Sequence, residues 1–299
     1  MDLHLSPVLA GGLIMFSLLS CQAPPATAQQ PPAASRQPYV GSPADSAAVR
    51  VSLEALMATP RPAHAGSAVV MAGTRMMGTP YVGGTLEVTP EETLVVNLRE
   101  LDCTTFLENA VVMARLAQQQ ESSFQAYLRE LTWVRYRGGE IAGYTSRLHY
   151  FTDWIGENTR KGIIRDITAS IGGEPYLKKL DFMSTHTTSY RQLADPALVR
   201  EIIRTEDTLN TQRRFFIPKA RIHAIEHQIQ DGDLLAITTT VDGLDVSHVG
   251  IAIHQAGRLH MLHASSVSKQ VEITQVPLAD YLAAHKSQSG IIVCRLMEP

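Results

Sequence analysis

The stretch Ser247-His248-Val249-Gly250-Ile251-Ala252-Ile253 decides the fold, because residues of two kinds alternate along it. Such alternation predicts a β-strand with His248, Gly250 and Ala252 on one face and the branched residues on the other. The small residues beside His248 leave room for another element to approach that face. His248 is therefore a candidate for chemistry rather than a side chain that only fills the core.

A second stretch, residues 258–266, predicts the partner strand of a hairpin. Facing residues of an antiparallel hairpin have a constant sum of residue numbers. A connecting loop of even length, such as residues 254–257, pairs His248 with His263. An odd loop, such as residues 255–257, puts His260 on the face of His248 instead. Gly257 suits either loop, so the sequence does not show whether the loop length is even or odd. Both His260 and His263 therefore remain candidates for the partner of His248.

Helical patterns come first in the chain and strand patterns come last. Apolar residues recur at three- and four-residue steps over 103–117, which predicts a helix, and residues 48–58 and 123–135 predict two more. Residues 67–74 are apolar but short. The strand candidates are rich in apolar and β-branched residues, and they are 94–98, 234–239, 246–253, 259–264, 271–274 and 291–296. This order predicts an α+β fold.

Cys103 has the position of a nucleophile at the start of the predicted helix. Asp102 is a good capping residue, so the thiol lies beside unpaired backbone N–H groups and the positive end of the dipole. The dipole contributes about 0.3–1 kcal/mol, and one pKa unit corresponds to about 1.36 kcal/mol. A thiol with an ordinary pKa of about 8.5 therefore needs a second cation, normally an imidazolium. The alternative is a structural Cys buried at a helix start.

Composition excludes several classes of protein. The chain has 299 residues, and a hydrophobic fraction of 44% excludes wholesale disorder. There are 26 basic and 29 acidic residues, a net charge of −3, without a cluster of Lys and Arg, so a nucleic-acid partner has no electrostatic support. Three cysteines cannot build a disulfide framework. Cys294, inside a predicted strand, is expected to be a small buried hydrophobe.

The N-terminal residues resemble an export signal. Residues 8–19 are uncharged, but a membrane span needs about 20 apolar residues. The segment ends in Leu18-Leu19-Ser20-Cys21, which resembles a bacterial lipobox with Cys21 as the lipidated residue. We therefore expect a membrane-anchored lipoprotein, periplasmic or at the outer membrane. The alternative, signal cleavage after Ala26-Thr27-Ala28, leaves a soluble exported protein.

The chain is expected to divide into three parts. Residues 1–21 are the signal and lipobox. Residues 22–46, rich in Pro, Ala, Gln and Ser, predict a flexible tether. Residues 47–299 form the remaining domain, without an evident repeat.

Five short motifs, in this order, resemble the NlpC-type superfamily of bacterial papain-like cysteine hydrolases of cell-wall peptides. They are Tyr81-Val82-Gly83-Gly84, Asp102-Cys103-Thr104-Thr105-Phe106, Gly232-Asp233-Leu234, Ser247-His248-Val249-Gly250-Ile251 and His263-Ala264-Ser265. The resemblance implies a catalytic domain in which Cys103 begins a helix packed on an antiparallel sheet that carries the His. It also implies Cys103 as nucleophile, His248 as base and His263, which small residues follow, as the third catalytic residue.

The chain departs from ordinary members in the separation of Cys103 from His248, which is 248 − 103 = 145 positions. The largely helical insertion, about 120–230, contains two motifs that resemble one branch of exported proteins. With two further motifs, the set is Ser146-Arg147-Leu148-His149-Tyr150-Phe151, Met183-Ser184-Thr185-His186, Asn97-Leu98-Arg99-Glu100-Leu101 and Gly243-Leu244-Asp245-Val246. The branch implies an N-acetylmuramoyl-L-alanine amidase that acts on peptidoglycan fragments without a cofactor or metal, with the insertion covering the cleft.

Other residues are predicted to bind the substrate. Arg147 and His149 suit its carboxylate or sugar groups, because a guanidinium binds both carboxylate oxygens. The alternative for these two is an ion pair within the insertion. Tyr81 is a candidate to bond near the thiol or the substrate carbonyl, or else it anchors its turn. The remaining candidates flank the Cys and the His, and they are Asp102, Thr104 and Ser247.

Three alternative functions remain open on the sequence. A γ-D-glutamyl-diamino-acid endopeptidase would use the same cysteine site. The stretch His223-Ala224-Ile225-Glu226-His227 matches the H-x-x-E-H pattern of some zinc hydrolases, although a further acidic ligand is not evident. A non-catalytic cell-wall-binding lipoprotein is expected to have lost part of the site, whereas Cys103, His248 and His263 are all present.

Overall fold

The computed structural model describes residues 38–299. The α-helices are α1 (Pro43–Met57), α2 (Ala65–Arg75), α3 (Cys103–Gln119), α4 (Phe124–Arg135), α5 (Phe151–Arg160), α6 (Phe182–Thr185), α7 (Pro196–Thr211), α8 (Ile222–Ile225) and α9 (Leu278–Ala284). The strands are β1 (Tyr39–Val40), β2 (Leu94–Val95), β3 (Ile164–Asp166), β4 (Glu174–Pro175), β5 (Phe215–Pro218), β6 (Leu234–Thr239), β7 (Val246–Gln255), β8 (Arg258–Ser265), β9 (Gln270–Ile273) and β10 (Gln288–Leu296). Short 3-10 helices cover Arg137–Gly139, Tyr144–Ser146, Thr187–Ser189, Arg191–Ala194, Lys219–Arg221 and Glu226–Gln228.

Eight strands form one antiparallel sheet. Seven of them follow the order β4-β5-β10-β6-β7-β8-β9, and β3 pairs with the part of β10 that β5 leaves uncovered. The short strands β1 and β2 form a separate parallel pair. The predicted α+β class with an antiparallel sheet is confirmed.

The helix α3 lies at the centre of the fold and is covered by other helices and by the sheet. Its residues from Thr105 to Gln118 are all buried, so it has no solvent-facing side. A helix that is buried all round must be surrounded by other elements, and α1, α2, α4 and the sheet supply them in one apolar cluster. Its polar residues are paired, since Arg135 donates to Glu108 (2.7 Å) and Arg115 donates to Glu130 (2.9 Å).

The other face of the sheet has its own core. Ala252 and Met261 from the sheet pack there with Leu278 and Leu282 of α9 and with residues near α8. A third, smaller cluster lies in the segment between α3 and β6, around Tyr150, Leu180 and Ile202. The sheet therefore lies between two layers of helices, and the segment between α3 and β6 contributes residues to both main clusters as well as to the third.

One predicted boundary near the N-terminus is wrong. The predicted tether, 22–46, overlaps β1 and α1, so its last residues belong to the folded part. The physical reason is a capping box: the N–H of Asp45 donates to the Ser42 hydroxyl (3.2 Å) and the N–H of Ser42 donates to Asp45 (2.9 Å), with Pro43 at the first helical position. The short apolar run 67–74 lies inside the helix α2.

The predicted signal, the lipidation site Cys21 and residues 22–37 of the predicted tether lie outside the described residues. Between residues 38 and 299, no helix is both long enough and apolar enough to span a membrane.

Candidate active site

Cys103 begins α3 as predicted, and Asp102 caps the helix. The N–H of Thr105 donates to Oδ1 of Asp102 (2.8 Å), and the N–H of Asp102 donates to the Thr105 hydroxyl (2.9 Å). This capping box fixes the first turn and leaves Cys103 partly exposed at its end. Asp102 was predicted to bind substrate, and the structure gives one of its carboxylate oxygens a structural role instead.

The thiol lies against β7, at the residue that follows His248. Hydrogen bonds to the sulfur from the N–H of Val249 and from the hydroxyl and N–H of Thr104 lower the thiol pKa. Burial acts more strongly, and together with the Asp102 carboxylate it raises the pKa of Cys103 to about 11. The thiol is therefore protonated at neutral pH, and it needs a base to become a nucleophile.

The hairpin β7–β8 decides between His260 and His263. Its ladder runs from the pair Gln255–Arg258 to the pair Ile251–Leu262, so the loop is the even, two-residue Ala256-Gly257. Extending this register puts His263 opposite Gly250, on the same face as His248. The loop 254–257 had predicted that His263 lies directly opposite His248. Because the actual loop is two residues shorter, His263 lies opposite Gly250, two residues further along β7.

His248 and His263 contact each other across the two strands. Nε2 of His248 and Nδ1 of His263 lie 2.6 Å apart, with the rings perpendicular. His260 lies on the opposite face, where its Nδ1 is 2.8 Å from the carbonyl oxygen of Thr274. The sheet thus makes His263, and not His260, the partner of His248.

Burial controls the charge of both rings. Desolvation, followed by the neighbouring His263 and His285, lowers the pKa of His248 to about 3. Desolvation also lowers the pKa of His263 to about 4, with Glu272 acting in the other direction. At neutral pH the pair is uncharged, so His248 is free to accept a proton.

Comparison with known proteins identifies the family. A model described as AmiA-like, N-acetylmuramoyl-L-alanine amidase-like, matches residues 71–291. The chain belongs to this AmiA-like family. An N-acetylmuramoyl-L-alanine amidase from Bacteroides uniformis is 37% identical, with a TM-score of 0.73 over 78% of this chain and 98% of that one. A putative xylanase from Bacteroides fragilis is 41% identical, with a TM-score of 0.72 over 75% of this chain and 99% of that one.

Two further comparisons of this AmiA-like chain concern its fold and its similarity to curated proteins. A Legionella pneumophila protein has the same fold at 21% identity, with a TM-score of 0.64 over 84% of this chain and 94% of that one. None of the curated proteins matches the chain significantly. The family match spans Cys103, His248 and His263, and hence the whole of the site described above.

Two predicted binding residues of this AmiA-like chain are engaged with protein groups. Arg147 is 7% exposed and pairs with Glu87 and with Glu92 (3.3 Å). Its partners precede α3, so this ion pair is not inside the insertion, where the predicted alternative had placed it. Nε2 of His149 lies 2.8 Å from the carbonyl oxygen of Tyr144, and burial followed by the charge of Arg147 lowers the pKa of His149 to about 3. Binding of substrate by these two residues stays a prediction that their contacts do not favour.

Tyr81 and Ser247 remain available at the site. Tyr81 pairs with Leu101 in an isolated β-bridge, and burial followed by the charges of Cys103 and Asp102 raises its pKa. Ser247 is the extra residue of a β-bulge, because Ile237 pairs with His248 while Thr238 pairs with Val246. Ser247 is exposed as a residue, and its hydroxyl donates to the carbonyl oxygen of Ile237 (3.4 Å). The influence of Cys103 on the pKa of Tyr81 places that ring near the thiol, and binding of substrate by either residue stays a prediction.

The H-x-x-E-H stretch does not form the long helix that its pattern suggests. The helix α8 has four residues and a 3-10 turn follows it. Glu226 accepts from Nε of Arg258 (2.7 Å), and His223 lies 3.0 Å from the same guanidinium. Over residues 38–299 no three His, Cys, Asp or Glu side chains are grouped so as to hold a metal ion.

Three residues near the histidine pair were missed by sequence reasoning. The ring of Tyr281 contacts His263 edge-on (5.9 Å between centroids) and lies 4.6 Å from that of His285. Glu272 pairs with His263 across β8 and β9. The spacing of Tyr281 and His285, four residues apart, would have placed both on one helical face. Glu272 could have been found only by knowing the β8–β9 register.

Proposed function

We propose that the chain is an N-acetylmuramoyl-L-alanine amidase that hydrolyses the amide between the lactyl group of muramic acid and L-Ala in peptidoglycan fragments. The observation that carries the proposal is the thiol of Cys103 against Val249, next to the His248–His263 pair. Membership of the AmiA-like family supports the substrate class, and so does the name of the B. uniformis protein.

In the proposed first step, Sγ of Cys103 attacks the amide carbon. Nε2 of His248 faces His263, so Nδ1 is the ring nitrogen left to accept the thiol proton. The carbonyl oxygen becomes an oxyanion, and backbone N–H groups at the start of α3 are the proposed donors to it. A donor of this kind commonly contributes about 2.7–4 kcal/mol.

In the proposed second step, the C–N bond breaks. His248 passes its proton to the nitrogen of L-Ala, which leaves an acyl thioester on Cys103. Water then attacks the thioester and gives a proton to His248, and the C–S bond breaks as the departing thiolate of Cys103 takes that proton and becomes the thiol again. The products are a lactyl carboxylic acid and a peptide with a free amino terminus.

Digestion of a defined disaccharide tetrapeptide tests the function. We expect the wild-type protein to release the intact tetrapeptide and the sugar, which mass spectrometry identifies. The variant Cys103→Ala should release neither, with an almost unchanged Tm, because the thiol is a small group at a helix end. Release of a sugar dipeptide would instead indicate the endopeptidase, and turnover by Cys103→Ala would contradict the cysteine mechanism.

The two neighbouring histidines supply a matched pair of variants for the same assay. His263→Ala should lower kcat far more than His260→Ala, because only His263 bonds the proposed base and controls its tautomer. Equal losses of kcat in the two variants would show that the contact with His248 has no catalytic role.

A further inference from the structure

His263 has a nitrogen that nothing in the proposed reaction uses. The residue is 1% exposed, its Nδ1 faces His248, and its Nε2 is buried without a hydrogen-bond partner. A buried ring nitrogen without a partner is costly, whether it carries a proton or a lone pair. Such a group suggests that a partner joins it during function.

Glu272 is placed to be that partner. The strands β7, β8 and β9 are neighbours in this order, and the register pairs His263 directly with Glu272. Directly opposed residues of an antiparallel pair lie on the same face, with Cβ atoms about 4.5–5.5 Å apart. Glu272 is partly exposed, and among residues 38–299 its carboxylate makes no hydrogen bond or ion pair. His248, His263 and Glu272 therefore form a row across three strands.

We propose that Glu272 is a positioning residue, whose carboxylate accepts a hydrogen bond from the Nε2–H of His263 and thereby orients His248 toward the thiol. This inference rests on the proposed cysteine hydrolase function. The proposed hydrogen bond to Glu272 determines which ring nitrogen carries the proton in His263 and in His248. With its proton on Nε2, His263 presents the lone pair of Nδ1 to His248. His248 then carries its proton on Nε2 and keeps the lone pair of Nδ1 for the proton of Cys103.

Other groups around His263 do not supply the same interaction. His248 faces it from β7, and its Nε2 already bonds Nδ1. From α9, Tyr281 presents a ring at 73° to that of His263, and His285 is directed at the carbonyl oxygen of Tyr281 (2.7 Å). Cys103 approaches from α3 on the side of Val249. Glu272 is thus the acidic group among those that face the pair, and its charge favours the imidazolium that forms during catalysis.

The test compares Glu272→Gln with Glu272→Asp and with Glu174→Gln, a control on the exposed strand β4 at the far end of the sheet. Glutamine keeps the shape but offers an amide in place of a charge. We expect kcat to fall about 10- to 100-fold in Glu272→Gln, the loss typical of one hydrogen bond to a charged group. Glu272→Asp should recover part of this loss, and Glu174→Gln should match wild type.

Two measurements without peptidoglycan separate this inference from the proposed function. Alkylation of Cys103 by iodoacetamide, followed by mass spectrometry across pH, should slow in Glu272→Gln, with its acid limb displaced to lower pH. Nitrogen-15 NMR should place the proton of His263 on Nε2 in wild type and lose that preference in Glu272→Gln. A wild-type proton on Nδ1, or unchanged alkylation and kcat in Glu272→Gln, would overturn the inference. Failure of wild type to hydrolyse muropeptides, with these signatures intact, would contradict only the proposed function.

Discussion

Burial shifts the thiol and the imidazole in opposite directions, and this fixes the pH range of the proposed reaction. The pKa of Cys103 is raised to about 11 and that of His248 is lowered to about 3, so both are neutral over most of the accessible range. His248 acts as a base only while it is neutral. Because its pKa is lowered, the neutral form persists as the pH falls below the ordinary value of about 6.5.

We therefore expect kcat/KM to change little between pH 7 and pH 5. A histidine with an ordinary pKa of about 6.5 would be only about 3% neutral at pH 5. Initial rates on a soluble muropeptide from pH 4 to pH 9 measure this directly, with Tm recorded at each pH as the control for unfolding. Half-maximal kcat/KM near pH 6.5 would mean that His248 is more solvated in the working enzyme than its burial indicates.

Local signals predicted the centre of the site but not its surroundings. Cys103 was indicated by a cap and a helical period, and His248 by strand alternation, and both signals lie within a few residues of the group itself. The ion pairs of Arg147 could not be predicted, because its partners Glu87 and Glu92 lie some 60 residues away, beyond any local pattern. Glu272 and Tyr281 were missed for the same reason, since only the sheet register and the packing of α9 bring them to His263.

Among the elements, the hairpin β7–β8 carries a backbone strain that a substitution can relieve. Its two-residue loop has both residues in the left-handed region, with φ of 49° at Ala256 and 78° at Gly257. This is the geometry of a type I′ turn, for which Asn-Gly is preferred. An L-residue other than Asn or Gly costs about 1–2 kcal/mol in this conformation.

We expect Ala256→Asn to stabilise the protein by roughly 0.5–1 kcal/mol, a rise in Tm of about 1–3 °C at this size. The variant Gly257→Ala is a control with the opposite expected effect. An added Cβ at residue 257 meets no atom within 4 Å, so the substitution changes only the backbone preference. Because that preference disfavours a positive φ, Tm should fall. Differential scanning calorimetry measures both. A lower Tm for Ala256→Asn would mean that the loop is not the type I′ turn described here.

The strands β6, β7 and β8 were predicted more closely than the start of α1. The strand β6 was predicted over its full length, and β7 and β8 to within two residues, because β-branched and apolar residues mark the interior of each. The start of α1 was hidden in a run of Pro, Ala and Ser that also suits a tether. In the structure, the contacts of Ser42 with Asp45 define this start, and Arg99, which donates to Asp45 (2.8 Å), ties it to the residues before α3.

In the molecule as a whole, the segment between α3 and β6 is held to the rest by buried polar contacts. Asp245, just before β7, accepts from the N–H (2.7 Å) and the hydroxyl (2.8 Å) of Thr152 in α5. Arg147 holds the same segment to Glu87 and Glu92. Removal of one partner leaves the other buried without compensation. These contacts therefore fix the segment to the start of β7, which carries His248, and to the residues that precede α3.

We propose, last, that lipid at Cys21 holds this whole assembly at a membrane. Cys21 lies outside the described residues, and Pro38, where the described part begins, follows it by 38 − 21 = 17 residues. A chain spans at most about 3.3–3.6 Å per residue, so roughly 60 Å bounds the distance from the lipid to the domain. Substrates would then have to come near the membrane, as released fragments or the nearest glycan strands do.

The variant Cys21→Ser should therefore appear in the soluble exported fraction, with kcat/KM on soluble fragments equal to that of wild type. Cys294→Ala is the matched control: Cys294 is buried in β10, so its removal should leave the protein with the membranes. Cell fractionation with immunoblotting measures both, and mass spectrometry of the mature N-terminus identifies the processing site. If the wild-type protein is soluble and begins at Gln29, the lipidation hypothesis is wrong. Cys21 would then have been removed with the signal by ordinary cleavage after Ala28.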